Sequence, residues 1–320
     1  MMPLLELQAV SLTFPTGGGG LLRRPRLLTV LDGVTLEIGA GEALGLVGES
    51  GCGKSSLAKT VLNLNRPTGG SIAYRGRDLA GCTPADWRKL RQQVQYVFQD
   101  PLASLDPRMR VLDQVIEVLS VHGIGQPQER RERALAELSA VGLGLDLAAK
   151  YPHALSGGQR QRAVIARALA LGPELLICDE PVSALDVSIQ AQVVNLLAEL
   201  RRARGLALLF ISHDLSLVRH LCERVAIMYM GRIVEQGPVE QIFDRPLHPY
   251  TRALIAAIPR AEPRVGEPPE VVAGETPSLL DPPTGCRFHP RCPLAIERCA
   301  ADTPLLAVQP DGRLAACHRI

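Results

Sequence analysis

Apolar residues recur along the chain as short runs, separated by stretches that repeat at helical spacing. Ala43–Val47, Val94–Phe98, Leu175–Cys178, Leu206–Ile211 and Val225–Met230 are mostly apolar and of strand length. Runs that short and that apolar predict buried strands. Leu4–Phe14 alternates in parts and reads as a strand. Leu28–Ile38 reads as another, with a turn at Asp32-Gly33, and residues 16–27 between them form a glycine- and arginine-rich loop. Residues 70–79 hold a short strand and a turn at Arg75-Gly76, and Gly231 centres a hairpin between Val225–Met230 and Arg232–Glu235. The helical period appears after Ala43–Val47, where Ser56–Asn63 suits a helix. It dominates residues 106–150, which predict two or three helices of an inserted helical subdomain spanning about 100–155. In residues 187–203, Ile189, Val193, Leu196, Leu197 and Leu200 share one face of an amphipathic helix. The pattern as a whole predicts an α/β fold with a mixed sheet.

Beyond Pro259 the pattern fails. Eleven of the 25 prolines lie in residues 259–320. Proline removes a backbone donor and breaks helices and central strands, so this stretch reads as a linker and a small irregular domain. The expected division is therefore 1–258 and 259–320. A chain of 320 residues can bury a large core. Its 46% apolar and 21% charged content describe a globular protein. A net charge of +2 gives no strong field and argues against nucleic acid as a partner. No apolar run approaches the ~18 residues of a membrane span. The N-terminus lacks a basic region followed by an apolar stretch, so a cytoplasmic protein without a secretory signal is expected.

Candidate chemistry sits where the strands end. After Ala43–Val47 comes Gly48-Glu49-Ser50-Gly51-Cys52-Gly53-Lys54-Ser55, with Ser56 following, in the pattern G-x-x-x-x-G-K-S. Strand, glycine loop and helix are the context a phosphate-binding loop needs. Its backbone N–H groups and the positive helix end face the anion, Lys54 reaches the terminal phosphates, and the Ser55 hydroxyl can ligate Mg²⁺. Leu175–Cys178 delivers two carboxylates, Asp179 and Glu180, at its C-terminal end, the edge where open α/β sheets bind ligands. Asp179 is the candidate on the metal side. Glu180 is the candidate for polarising the attacking water. Leu155-Ser156-Gly157-Gly158-Gln159 reads as a second phosphate-binding helix start, about a hundred residues from the first.

With these motifs in order the chain resembles the ATPase subunits of ABC transporters, over roughly residues 4–258. The phosphate loop, Gln99, Leu155–Gln159, Asp179-Glu180, Ser183-Ala184-Leu185-Asp186 and His213 occur in that family's sequence. The resemblance implies a P-loop NTPase core and a head-to-tail pair of ATPase domains. ATP would lie between the phosphate loop of one domain and the Leu155–Gln159 loop of the other. It implies that Gln99 touches Mg²⁺ and water, that His213 contacts the γ-phosphate, and that Asp186 lies at the dimer seam. Phe14 falls where the family stacks an aromatic on adenine, a position that more often holds tyrosine. Phe98–Pro101, Ala103–Pro107, His248–Thr251 and Gly285–Pro293 resemble the oligopeptide/dipeptide importer branch, and the insert before Leu28 resembles its second ATPase subunit. Nickel importers share these cues.

What the resemblance implies is ATP hydrolysis coupled to import. The partners would be a second ABC ATPase subunit, either a related chain or a second copy of this one, two membrane permease subunits and, through them, an extracytoplasmic peptide-binding protein. The chain would sit peripherally on the cytoplasmic face of the inner membrane. An ABC ATPase of DNA repair would need a coiled-coil or zinc-hook insert, and one of translation would usually carry two cassettes; neither feature is present.

Eight cysteines divide into two groups. Cys52, Cys82, Cys178 and Cys222 are scattered and expected to be unpaired in a reducing compartment. Cys286, Cys292, Cys299 and Cys317 follow C-x5-C-x6-C-x17-C. Zinc sites usually contain tighter pairs, and four thiolates could instead hold a [4Fe–4S] cluster. The importer-branch resemblance points to that cluster, with zinc or unliganded cysteines as the alternatives.

Overall fold

The computed structural model describes residues 2–17, 26–258 and 274–320. The expected loop at 16–27 and the linker after Pro259 lie largely outside the described residues. The chain forms two compact units.

The first unit comprises Met1–Glu37, Leu44–Ala80 and His213–Ile320. One of its sheets is antiparallel, in the order Arg26–Ile38, Leu5–Thr16, Gly69–Tyr74, Arg77–Asp78. The partial alternation of Leu4–Phe14 has a cause. Leu5 and Leu7 are buried, then Val10 and Leu12, so the inward set changes parity. The register against Gly69–Tyr74 shifts between Gln8 and Ser11, and Ala9 between them has φ 49°. An extra residue at that bulge returns the apolar side chains to the buried face.

The unit's other strands carry the phosphate loop. Leu44–Val47 runs parallel to Arg224–Tyr229, pairing Leu44 with Arg224 and Val47 with Ile227. Arg224–Tyr229 turns at Met230-Gly231 into antiparallel Arg232–Pro238, the expected hairpin. Leu314–Ala315 then adds to Arg232–Pro238, and Ala307–Val308 adds to it in turn. The C-terminal segment thus extends a sheet of the unit that holds the phosphate loop. A buried pair secures it. Arg313 and Glu235 are 3% and 0% exposed, 3.5 Å apart. Glu235 also accepts from the Leu247 and His248 N–H groups, and Arg313 donates to the Gln241 and Arg245 carbonyls. Buried charges persist when their remaining hydrogen-bonding capacity is met in this way.

The second unit comprises Ile38–Ala43 and Gly81–Ser212. Leu175–Asp179 lies between Val94–Val97 and Ala207–Ser212, all parallel. Every residue of Leu175–Asp179 and of Ala207–Ser212 is buried, as parallel strands covered on both faces require. Residues 106–150 form three helices, Val111–Val121, Pro127–Ala140 and Leu145–Ala148. Helix Gly157–Leu169 packs on the first two, and on Val187–Arg204.

Candidate functional site

The phosphate loop joins the fully buried strand Ala43–Val47 to helix Lys54–Val61. Gly53 caps that helix at φ 110°, and a Cβ there would lie 2.8 Å from the Val30 carbonyl oxygen. Only glycine meets both conditions. Lys54 is buried, and its ammonium donates to the Gly48 and Glu49 carbonyls at 2.7 and 3.0 Å. The loop therefore holds the lysine on its own backbone. Burial pushes the Cys52 thiol up, so it is a neutral packing group here rather than a nucleophile. Ser55 and Ser56 open the helix half-buried.

Two residues of the same unit stand apart from the loop in sequence. Phe14 is 37% exposed on its strand, which leaves ring surface for a planar ligand. His213 is exposed just before the short helix Leu215–Leu221.

Glu49 has partners that spacing could not foretell. Its carboxylate accepts a two-pronged bond from Arg291, at 2.9 and 3.0 Å, and a third from the Thr276 hydroxyl at 2.5 Å. Its backbone N–H donates to the Tyr250 hydroxyl at 2.9 Å. Burial would raise the Glu49 carboxyl, but these bonds and the charges of Arg291 and Lys54 override it and hold the group below the usual range.

In the second unit Asp179 and Glu180 end the buried strand Leu175–Asp179 as expected. The Tyr96 hydroxyl donates to Asp179 Oδ2 at 2.6 Å. Burial, then the Asp179 carboxylate, push the Tyr96 phenol far above its ordinary range, so it stays a donor. Glu180 has φ 47°, a left-handed backbone uncommon for a side-chain-bearing residue. That conformation is held by its N–H on the Ile211 carbonyl, and by Ser183 Oγ on its own carbonyl. Gln99 Nε2 donates to Glu180 Oε2 at 3.1 Å, which brings those two candidates together.

Ser156 caps helix Gly157–Leu169 through a capping box. Its hydroxyl accepts from the Gln159 N–H at 3.3 Å, and the Gln159 side chain accepts from the Ser156 N–H at 3.0 Å. The hydroxyl proton is not used in this box, so it can donate outward. Leu155 is buried and anchors the loop, while Ser156 is exposed. Gly158 makes the close approach to Val187–Arg204, since a Cβ there would lie 2.5 Å from Ile189 Cγ2. Asp186 caps that helix without a side-chain cap bond and is exposed.

The four C-terminal cysteines gather in the first unit. No disulfide joins any of the eight cysteines. Burial pushes the Cys286, Cys292 and Cys317 thiols up, and neighbouring thiols of the set add to this in each case. Mutual repulsion among thiolates is what a bound cation would relieve, so the donor chemistry suits a metal. The arrangement falls short of the expectation: among the described residues, no group of three or more His, Cys, Asp or Glu is placed to hold a metal ion.

Comparison with known proteins shows the family. Residues 31–183 match the ABC transporter family, and residues 234–299 match the oligopeptide/dipeptide transporter C-terminal region. The oligopeptide transport ATP-binding protein OppF of Escherichia coli is 50% identical, over 88% of this chain and 85% of that protein. A putative peptide import ATP-binding protein of Brucella ovis is 47% identical over 99% and 98%. Among solved structures, the ATP-binding cassette MJ0796 bound to ADP and Pi gives a TM-score of 0.65 at 29% identity, covering 73% of this chain and 98% of its own. CbiO1 of Clostridium perfringens gives 0.66 at 27%, covering 77% and 92%. The chain belongs to the ABC transporter ATP-binding proteins, in the branch of the peptide and oligopeptide import ATPases.

Proposed function

We propose that this chain hydrolyses ATP to drive import of di- and oligopeptides through separate membrane permease subunits. The observation that carries the reading is the catalytic pair: Glu180, held in a left-handed backbone, bonded to Gln99. The N–H groups of Gly48–Ser56 and the Lys54 ammonium would bind the phosphates, and Phe14 would stack on adenine. Mg²⁺ would be held through Ser55, Gln99 and Asp179, and would neutralise phosphate charge when bound. Asp179 is oriented by the Tyr96 hydroxyl. Glu180 would take a proton from water as the water oxygen bonds to the γ-phosphorus. The bond from that phosphorus to the β–γ bridging oxygen breaks, leaving ADP and phosphate. His213 would hold the γ-phosphoryl oxygens, and positioning supplies most of the catalysis.

The Ser156 hydroxyl and the N–H groups of Gly157 and Gly158 are suited to a phosphate from a second ATPase subunit, with Asp186 at the seam. No helix among the described residues is long and apolar enough to cross a membrane. The chain would work as a peripheral subunit on the cytoplasmic face, beside two permeases served by an external binding protein. Peptide uptake by the assembled transporter, with Lys54→Ala as the control, tests the reading. ATP-dependent uptake of nickel without uptake of peptide would replace the substrate.

A metal centre on Cys286, Cys292, Cys299 and Cys317, [4Fe–4S] in preference to zinc, would cross-link a segment with little core of its own. The support is their clustering and mutual electrostatics. Anaerobically purified protein should carry about four irons per chain, and serine at any of the four positions should release them. One zinc per chain would give the site to the alternative.

A further inference from the structure

We propose that Arg291 is a positioning residue for the phosphate loop, through which the C-terminal segment sets the ATP affinity of its own chain. The proposal rests on the ATPase reading above.

Glu49 is the second residue of the loop, and everything that holds it from outside comes from beyond the ABC transporter match. Arg291 grips both carboxylate oxygens and is 8% exposed. Thr276 supplies the third bond to the carboxylate and Tyr250 receives the backbone N–H. On the inner side, the Gly48 and Glu49 carbonyls hold the Lys54 ammonium. The backbone clamped from outside is thus the backbone that carries the phosphate-binding lysine. When ATP binds, Lys54 must exchange those carbonyls for phosphate oxygens. A loop already fixed in shape makes the exchange without a further ordering cost.

The clamp is itself anchored. Arg291 ends the short turn His289–Arg291, between Cys286 and Cys292. Just before it, Phe288 is buried against Tyr229, Tyr250 and His248, with ring centroids 5.3 to 5.7 Å apart. Arg287 bonds Asp32 and the Met230 carbonyl. A half-buried two-pronged arginine–carboxylate pair is directional and stronger than a fully exposed one. Lysine, a point charge on a flexible stem, cannot replace it.

The test is titration of the full chain with a fluorescent ATP analogue, alongside steady-state ATPase kinetics and a thermal melt of each variant. Arg291→Gln should weaken binding about tenfold, a typical coupling through such a pair. It should raise KM and leave kcat within about twofold, because the clamp acts on ATP binding rather than on the transition state. Arg291→Lys should rescue only part of the loss. Glu49→Gln combined with Arg291→Gln should cost no more than the worse single change. If Arg291→Gln does not fold, Thr276→Val, which removes one donor and no charge, should weaken binding in the same direction by a smaller factor. Unchanged affinity with a lowered melting temperature would make the pair merely structural and overturn the proposal. So would an equal loss in kcat. Wild-type chain that binds no more tightly than Lys54→Ala would overturn the ATPase reading itself, and the clamp with it.

Discussion

In the proposed mechanism the chemistry turns on Glu180 and Gln99, which are hydrogen-bonded to each other. Loss of a general base typically slows an enzyme by ~10²–10⁴, or about 3–5 kcal/mol of barrier. Glu180→Gln keeps the shape and the bond from Gln99, and removes only the basic oxygen. It should bind ATP normally and hydrolyse it slower by that factor in the assembled transporter; near-normal turnover would remove Glu180 from the mechanism. His248 illustrates a residue whose chemistry is structural. Its Nδ1 accepts from the Tyr250 N–H and caps helix Pro249–Ala256. Burial, helped by the Arg252 charge, pushes the imidazole down to about 3. The folded state therefore binds fewer protons than the unfolded chain below the ordinary value of 6.5. The neutral form's contribution is fully present above pH 6.5 and is lost as pH falls toward 3, at up to about 1.4 kcal/mol per pH unit. His248→Asn can still cap with its side-chain oxygen but does not titrate. Its melting temperature should fall less steeply between pH 6.5 and 5 than wild type, and parallel slopes would show that His248 does not titrate in this way.

At the scale of elements, the close approach of helix Gly157–Leu169 to helix Val187–Arg204 is set by one missing methyl. Gly158→Ala would place Cβ 2.5 Å from Ile189 Cγ2, a branch that cannot swing away without changing its rotamer. Overpacking of this kind costs ~1–3 kcal/mol. The melting temperature should drop, and adding Ile189→Ala should restore part of it; no recovery would mean that the helices adjust by another route. That glycine stood out in the sequence for its place beside Ser156, and its packing role became visible only with the facing helix. Most elements were legible beforehand, because buried strands and amphipathic helices write their burial into the period of the sequence. The phosphate loop, Asp179-Glu180 and the capped helix start at Ser156 were legible for the same reason, being local motifs. The parity change at Ala9 was not, since a bulge is defined by the partner strand. Nor was Tyr96 on Asp179, or Arg291 on Glu49, because 83 and 242 residues separate those pairs. On the apolar face of Val187–Arg204, Ile189 and Leu196 are half-buried, and Val194 is buried in addition to Val193, Leu197 and Leu200.

At the scale of the whole molecule, an ATPase subunit with no membrane-crossing helix among its described residues must transmit its work through a surface. The second unit offers one near residues 100–110. A cleft of about 540 Å³ is lined there by Ala103–Arg108, Gln114, Glu117 and Arg167. Its rim is rigid. Buried Gln114 accepts from the Asp106 N–H and donates to the Asp106 and Met109 carbonyls, and Arg167 donates to the Ser104 carbonyl. Phe98 and Leu102, 41% and 55% exposed, lie nearby in sequence as apolar surface for a partner. Gln99, which bonds Glu180, is one residue from Phe98, so a partner pressing on this segment would be felt at the Glu180 carboxylate. Arg108 is 86% exposed and pairs with neighbouring Asp106, and Arg110 lies 5.9 Å from the Tyr151 ring. An exposed pair of this kind contributes little to stability, so Arg108→Glu with Arg110→Glu should fold and melt like wild type. Reversing both charges at the edge of a docking site should weaken association by roughly thirtyfold or more. Co-purification with the permeases and peptide uptake should fall by about that factor, while ATP affinity of the isolated chain stays within about twofold. Equal loss of ATP affinity would assign residues 100–110 to the nucleotide site, and unimpaired uptake would move the docking surface elsewhere on the second unit.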